Sequence, residues 1–309
     1  MVIVANHVIE NIGARALKKL LYYIVLVFSI ILPTLLIGAE KKIRIDLLNG
    51  EKVFLVSGCA SCHSKEKKPA DLNSLKLGGG VKIETVFGRF YSPNISSDKV
   101  FGIGSWTFEE FKAALKEGVS PTGQNYFPAF PYNAYKLMSD EDMLDLFYFM
   151  RTLPPSEEPN IKHDILYAGF LRKFMPLYNA RYSFLNTKKQ TDLGEGEYMV
   201  RALGHCSECH TSRDVFGVPK FRSYLSGGVI YEGGVVKTPN ITPDKSGIGD
   251  WSNDEIVNYL RTGFTPDFDS SGGLMAEVID NLQPLNDEEL KEIAQYLKSI
   301  DPIATKKSD

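Results

Sequence analysis

The sequence predicts an all-α, loop-rich protein built as two tandem domains behind an N-terminal apolar helix. Three observations carry this expectation. The stretch "GCASCHS" (58–64) returns as "HCSECHT" (205–211). The regions around both copies repeat at a step of 145–147 residues. A run without any charge occupies residues 20–39, directly after Arg15, Lys18 and Lys19.

A basic region followed by an apolar run is an export signature. The run is close to the ~20 residues of a minimal membrane span. Residues 1–39 therefore read either as a cleaved signal peptide, with Gly38-Ala39 as the small residues before Glu40, or as an uncleaved signal anchor. Both readings place the rest of the chain outside the inner membrane. It is then either soluble after cleavage near Ala39 or held to the membrane through residues 20–39. The 309 residues are 43% hydrophobic, enough for a real core, and the net charge of −3 argues against a nucleic-acid partner.

All four cysteines lie in the two repeated stretches: Cys59, Cys62, Cys206 and Cys209. A zinc ribbon would place its two pairs about 15–20 residues apart, whereas Cys59 and Cys206 are 147 apart. A redox disulfide of the thioredoxin type wants a βαβ context, and it gives no reason for a histidine directly after the second cysteine. Cys-x-x-Cys-His is the attachment pattern for c-type haem. Two thiols on one helical turn reach the two vinyl groups of a porphyrin. The next residue then lies under the ring with its imidazole toward the iron. The motifs thus predict two covalently bound haem c groups, with Cys59, Cys62, Cys206 and Cys209 as anchors and His63 and His210 as iron ligands. His205 reads as the end of the helix before the second motif, and His163 as a surface or capping histidine.

The second motif follows from a duplication. "SPNISSDKVFGIGSWTFEEFKAALKEG" (92–118) matches "TPNITPDKSGIGDWSNDEIVNYLRTG" (238–263), and "MSDEDMLDLFYFMRTLPP" (138–155) matches "LNDEELKEIAQYLKSIDP" (285–302). A period this long means two domains and no solenoid. The expected boundaries are 40–155 and 191–305, with 156–190 as a linker. "GEKVFLVSG" and "GEGEYMVRALG" lead into the motifs with helical spacing of apolar residues. Thr107 with Glu110, and Ser252 with Glu255, read as capping boxes, and Ser139 and Asn286 as caps of the last helices. "NIS" (94) and "NIT" (240) fit the glycosylation pattern but read as loop residues of the repeat. The linker is aromatic and basic. It reads as packing between the domains, with a membrane-surface or partner-docking element as the sharper alternative.

A haem with histidine on one face needs its other face explained, and a methionine from a loop before the last helix raises the potential. Met275 is the only methionine after the second motif and is the expected ligand there. In the first copy the aligned stretch is "YFPAFPY" (126–132), without methionine. Met138 is the favoured candidate, ahead of Met143, which reads as core, and of an open face.

With "CASCH", "YFPAFPYNAYKLMSDED", "GHCSECH" and "TGFTPDFDSSGGLMAEV" in place, the chain resembles bacterial periplasmic two-haem cytochromes c related to the cytochrome subunits of membrane-bound alcohol, gluconate and fructose dehydrogenases. The likeness spans roughly residues 50–300 and implies two class I-like cytochrome c domains. Relatives with an "AMPY" loop would put the axial methionine where this chain has Phe130, whereas those sharing "AFPY" carry one at the place of Met138. Dehydrogenase-type subunits typically have three haem motifs, and this chain has two. The expected role is electron transfer from a periplasmic or membrane dehydrogenase to a respiratory acceptor, an oxidase or another cytochrome, with no catalytic side chain. The rival is a two-haem oxidoreductase, thiosulfate-oxidising or peroxidase-type, acting at an open first haem.

Overall fold

Asp46 opens the first helix by accepting the backbone N–H groups of Leu48 and Asn49 at 3.0 and 3.1 Å. This helix, α1 (Leu47–Val56), leads into α2 (Cys59–His63), the first motif itself. A loop then carries the hairpin β1 (Lys82–Thr85) and β2 (Gly88–Tyr91). The helices α3 (Phe108–Glu117), α4 (Tyr132–Tyr135) and α5 (Asp140–Met150) complete the first half. The linking stretch supplies β3 (Asp164–Ile165), α6 (Ala168–Arg172) and α7 (Met175–Leu185). The second half repeats the order. Its elements are α8 (Glu195–Tyr198), continued by a π-helical turn over Met199–Leu203, then α9 (Ser207–His210) and the hairpin β4 (Gly228–Tyr231) and β5 (Val235–Thr238). The last helices are α10 (Asn253–Thr262), α11 (Gly273–Asn281) and α12 (Asp287–Ser299).

This computed structural model describes residues 22, 23, 26, 44–66, 71–231 and 234–305. The apolar run at 20–39 lies almost wholly outside them. Among the described residues no helix is long and apolar enough to cross a membrane. Residues Ile45–Asp309 form one compact unit.

The expected caps are present. Thr107–Glu110, Ser252–Glu255 and Asn286–Glu289 form complete capping boxes, and Ser139 accepts the Asp142 N–H at 3.0 Å. The main departure from an all-α reading is the pair of hairpins. Their short runs, "KIET", "GRFY", "GVIY" and "VVKT", hold β-branched and aromatic residues, which suit a pleated, half-buried surface. The Gly- and Pro-rich surroundings hide them in a sequence. β3 adds to the first hairpin antiparallel, with Arg89 opposite Asp164. The fold is nonetheless mostly helical.

Each half is built on one helix crossing, α1 against α5 and α8 against α12. At both crossings a glycine lets the partner backbone approach. A methyl group on Gly50 would collide with the carbonyl of Asp145, and one on Gly196 with that of Glu292. The two glycines are not at equal distances from their motifs. Gly50 precedes Cys59 by nine residues, and Gly196 precedes Cys206 by ten. The π turn over Met199–Leu203 absorbs the extra residue, as such bulges do. Helix crossing and motif thereby keep their places in both halves.

The halves share a single core that includes Phe54, Leu77, Leu146, Leu203, Leu285 and Leu290, all at most 2% exposed. Polar contacts join them too: Lys52 pairs with Glu289 at 2.8 Å, and Tyr198 donates its hydroxyl to Asp142. The linking stretch touches both. Tyr132 donates to Asn179 at 2.7 Å, and Arg172 lies over Phe127 and donates to the Asn125 carbonyl. On the other side Arg181 pairs with Asp214 at 2.7 Å, and Tyr182 stands edge-on to Phe221.

Gly50→Ala tests the crossing. An alanine at an open helix position gains roughly 0.5–1 kcal/mol over glycine, but overpacking a close contact costs about 1–3 kcal/mol. Gly50→Ala should lower the urea midpoint accordingly. Gly169→Ala in α6, where an added methyl meets nothing, should not.

Candidate functional site

The two motifs are set up alike. Each ends a short helix, Cys59–His63 and Ser207–His210. His63 points its Nδ1 at the Pro93 carbonyl, 2.8 Å away, and His210 points its Nδ1 at the Pro239 carbonyl, also 2.8 Å away. A carbonyl only accepts, so Nδ1 carries the hydrogen and Nε2 is left with a free lone pair. This is how metal-binding histidines are oriented and kept in the right tautomer. The backbone helps as well: the His63 carbonyl accepts from Gly79 and the His210 carbonyl from Gly227. Burial lowers the pKa of both imidazoles, against the opposing pull of the proline carbonyls. They are therefore held neutral, the form that binds a metal.

The proline loops are locked by two buried asparagines that sequence reasoning read only as loop residues. Asn94 donates to the Ser156 and Glu158 carbonyls at 2.7 and 2.9 Å and accepts from the Ser96 N–H. Asn240 donates to the Ile303 carbonyl at 2.7 Å and to the Ser246 hydroxyl, and accepts from the Thr242 N–H. With their amides used in this way, neither asparagine is open to glycosylation. Recurrence at the repeat step was the signal that could have singled them out.

Burial pushes the Cys59 and Cys206 thiols up to about 12, each with its neighbouring cysteine adding to the effect. A redox Cys-x-x-Cys pair shows the opposite, a lowered thiol pKa. Among the described residues no group of three or more His, Cys, Asp and Glu gathers as zinc would require.

Beside the first motif lies a cavity of about 1770 Å³, larger than the roughly 300–1,000 Å³ of ordinary ligand sites. Cys59, Cys62 and His63 line one part of it, and Phe130 and Met138 another. The thiols, the pinned histidine and a mostly apolar space of this size fit a porphyrin anchored through its vinyl groups. Met138 is fully buried and lines the cavity. Met143 is equally buried but sits inside α5 and does not line it.

The second set is less gathered. Cys209 lines the same cavity, but Cys206, His210 and Met275 do not. Met275 lies on helix α11 and packs, partly buried, against the core, where a loop setting was expected. Two histidines read as ordinary in the sequence face the cavity. His163, half-buried, accepts the Tyr91 N–H on Nδ1 at 3.2 Å at the end of β2 and packs against Phe90, so it is a capping residue that also stands in the cavity wall. His205 lies outside any helix and points toward the first motif.

Asn94→Ala should strip the Glu158 carbonyl of its amide donor, leave the Ser156 carbonyl with only the 3.5 Å bond from the Ser96 hydroxyl, and cost about 1–3 kcal/mol. Asn240→Ala should cost less, because the one backbone carbonyl it serves, that of Ile303, keeps the Thr242 hydroxyl at 3.3 Å. Thermal unfolding of each variant beside the parent measures the loss.

Comparison with known proteins agrees with this geometry. The sequence model of the cytochrome c family matches residues 47–154. A diheme c-type cytochrome of Cereibacter sphaeroides is 40% identical over 259 residues, which cover 82% of this chain and 86% of that protein. The fructose dehydrogenase cytochrome subunit of Gluconobacter japonicus is 34% identical over 83% of the chain and 53% of its own length. The gluconate 2-dehydrogenase cytochrome c subunit of Pantoea cypripedii is 33% identical over 81% of the chain and 58% of its own length. The chain thus spans little more than half the length of these two subunits. It belongs to the diheme c-type cytochromes and carries covalently bound haem c with its iron.

Proposed function

We propose that the chain is an exported two-haem cytochrome that passes electrons from a periplasmic or membrane dehydrogenase to a respiratory acceptor. Residues 40–155 and 191–305 act as two tandem cytochrome c domains in this reading. The observation that carries it is the paired histidine geometry. His63 and His210 are each fixed through Nδ1 by a proline carbonyl, one repeat step apart, directly after a cysteine pair.

The haem supplies the one-electron chemistry when bound. The chain's residues do the rest. Cys59 and Cys62 anchor one group, and Cys206 and Cys209 the other. His63 and His210 would hold the irons through Nε2. Met138 and Met275 would supply thioether sulfur to them, which favours the reduced state and raises the potential. The apolar walls keep water away. No side chain moves a proton in this scheme, and no residue is assigned a catalytic role.

The relatives named as dehydrogenase cytochrome subunits support a dehydrogenase as electron donor. Covalent haem attachment takes place outside the cytoplasm, in agreement with the basic-flanked apolar run at 20–39. That run serves as either a cleaved signal or an anchor. The rival, an oxidoreductase with an open first haem, needs a vacant face there. A fully buried Met138 in the cavity wall weighs against it.

Two measurements test the proposal. Mass spectrometry of denatured protein, matured with a cytochrome c assembly system, should find two covalent haems. Carbon monoxide should not bind the reduced parent, should bind one haem in Met138→Ala and one in Met275→Ala, and should bind neither in Met143→Ala. Met143→Ala should instead lose stability by roughly 2–5 kcal/mol, as buried methionine truncations do. A parent that already binds carbon monoxide at one haem per chain would sink the relay reading and favour the oxidoreductase.

A further inference from the structure

His205 occupies a position that does not suit it. Its φ is 37°, in the left-handed region that side chains rarely adopt. The matching place before the first motif is Gly58, with φ 64°, a residue free of that strain. Strain of this kind persists where the surroundings enforce it, and it clusters at functional sites. The π turn that ends at Leu203 delivers the chain to this point.

The imidazole reaches back across the repeat. Its Nε2 lies 3.4 Å from the Ser57 carbonyl, which also accepts the Tyr135 hydroxyl at 3.0 Å. The ring stands edge-on to Tyr135, with centroids 5.6 Å apart, and it lines the cavity beside the first motif. Since the carbonyl only accepts, Nε2 carries the hydrogen. Ser57 lies two residues before Cys59, and His205 lies directly before Cys206. A continuous path therefore runs from the Cys59 anchor through the Gly58 and Ser57 backbone, across one hydrogen bond, and through the imidazole to the Cys206 anchor.

We propose that His205 is a positioning residue that links the two haem anchors and gives electrons a bonded route between the two haem sites. The proposal rests on the two-haem reading above. Electron tunnelling decays more slowly along covalent and hydrogen bonds than across a van der Waals gap, so the bridge speeds exchange without altering either iron's ligands. The step balances within the chain: one iron is oxidised as the other is reduced, and no proton or outside reactant is consumed. This gives the strain at position 205 a use.

The test uses the two-haem holoprotein. In the parent, nitrogen NMR of the labelled imidazole should show the Nε2–H tautomer. His205→Gly places at 205 the residue that fills this position in the first motif. It should fold at least as stably, keep two covalent haems and keep both axial-ligand spectra and potentials. Electron exchange between the haems, followed by flash photoreduction with substoichiometric electrons, should slow by about tenfold. His205→Gln, whose amide can donate to the same carbonyl, should restore most of the rate. Exchange at the parent rate in His205→Gly overturns the proposal. A changed axial spectrum in that variant overturns it too, because His205 would then act on an iron directly, as does an Nδ1–H tautomer in the parent. If His205→Gly does not fold, an unslowed exchange in His205→Phe refutes the bridge. A parent with fewer than two covalent haems fails the underlying reading, which the haem count shows separately from any rate.

Discussion

The bond from histidine Nδ1 to a proline carbonyl is the constraint on which the rest depends. It turns an imidazole on a short, poorly anchored helix into a directed donor. Everything around it serves to hold the carbonyl still: the buried asparagine beside the proline, the turn it closes, and the chain segment after the last helix that receives its amide. The cost of leaving those buried groups unpaired fixes the loop more firmly than its glycine and proline content alone would. The same arrangement at both motifs makes the repeat a matter of chemistry as well as of sequence.

The departures from exact repetition tell as much as the repetition. One extra residue before the second motif would rotate Cys206 away from its place if the helix stayed regular. The π turn takes up that residue while Gly196 keeps its contact with the Glu292 backbone. The chain emerges from the turn in the left-handed region at His205, which sends the side chain toward the other half. The halves then meet through one core and through Lys52–Glu289, Tyr198–Asp142 and Asn281–Ser61. Two sites within one compact unit suit the transfer of electrons between them.

Much of this was legible in the sequence. The cysteine and histidine positions, the repeat step and the helix caps each rest on a short pattern with one physical meaning, such as Thr107 bonded to Glu110. Met138 was separable from Met143 because a residue just before a helix can face a cavity and one inside it packs on its partner helix. The hairpins were hidden because strands of four residues pair locally and leave little periodicity among glycines and prolines. The helix around Met275 was hidden by the glycines at its start. The roles of His163, His205, Asn94 and Asn240 depend on partners 62 or more residues away along the chain for their key contacts, or on a strained backbone angle, and neither is written in local pattern.

In the proposed relay, His63 with Met138 and His210 with Met275 would hold the two irons and leave neither site open to substrate. Near-infrared magnetic circular dichroism of the fully oxidised protein reads the axial pair of each haem directly. Low-spin histidine–methionine signals that together account for two haems per chain are expected. A high-spin signal, or one from a bis-histidine haem, would contradict it.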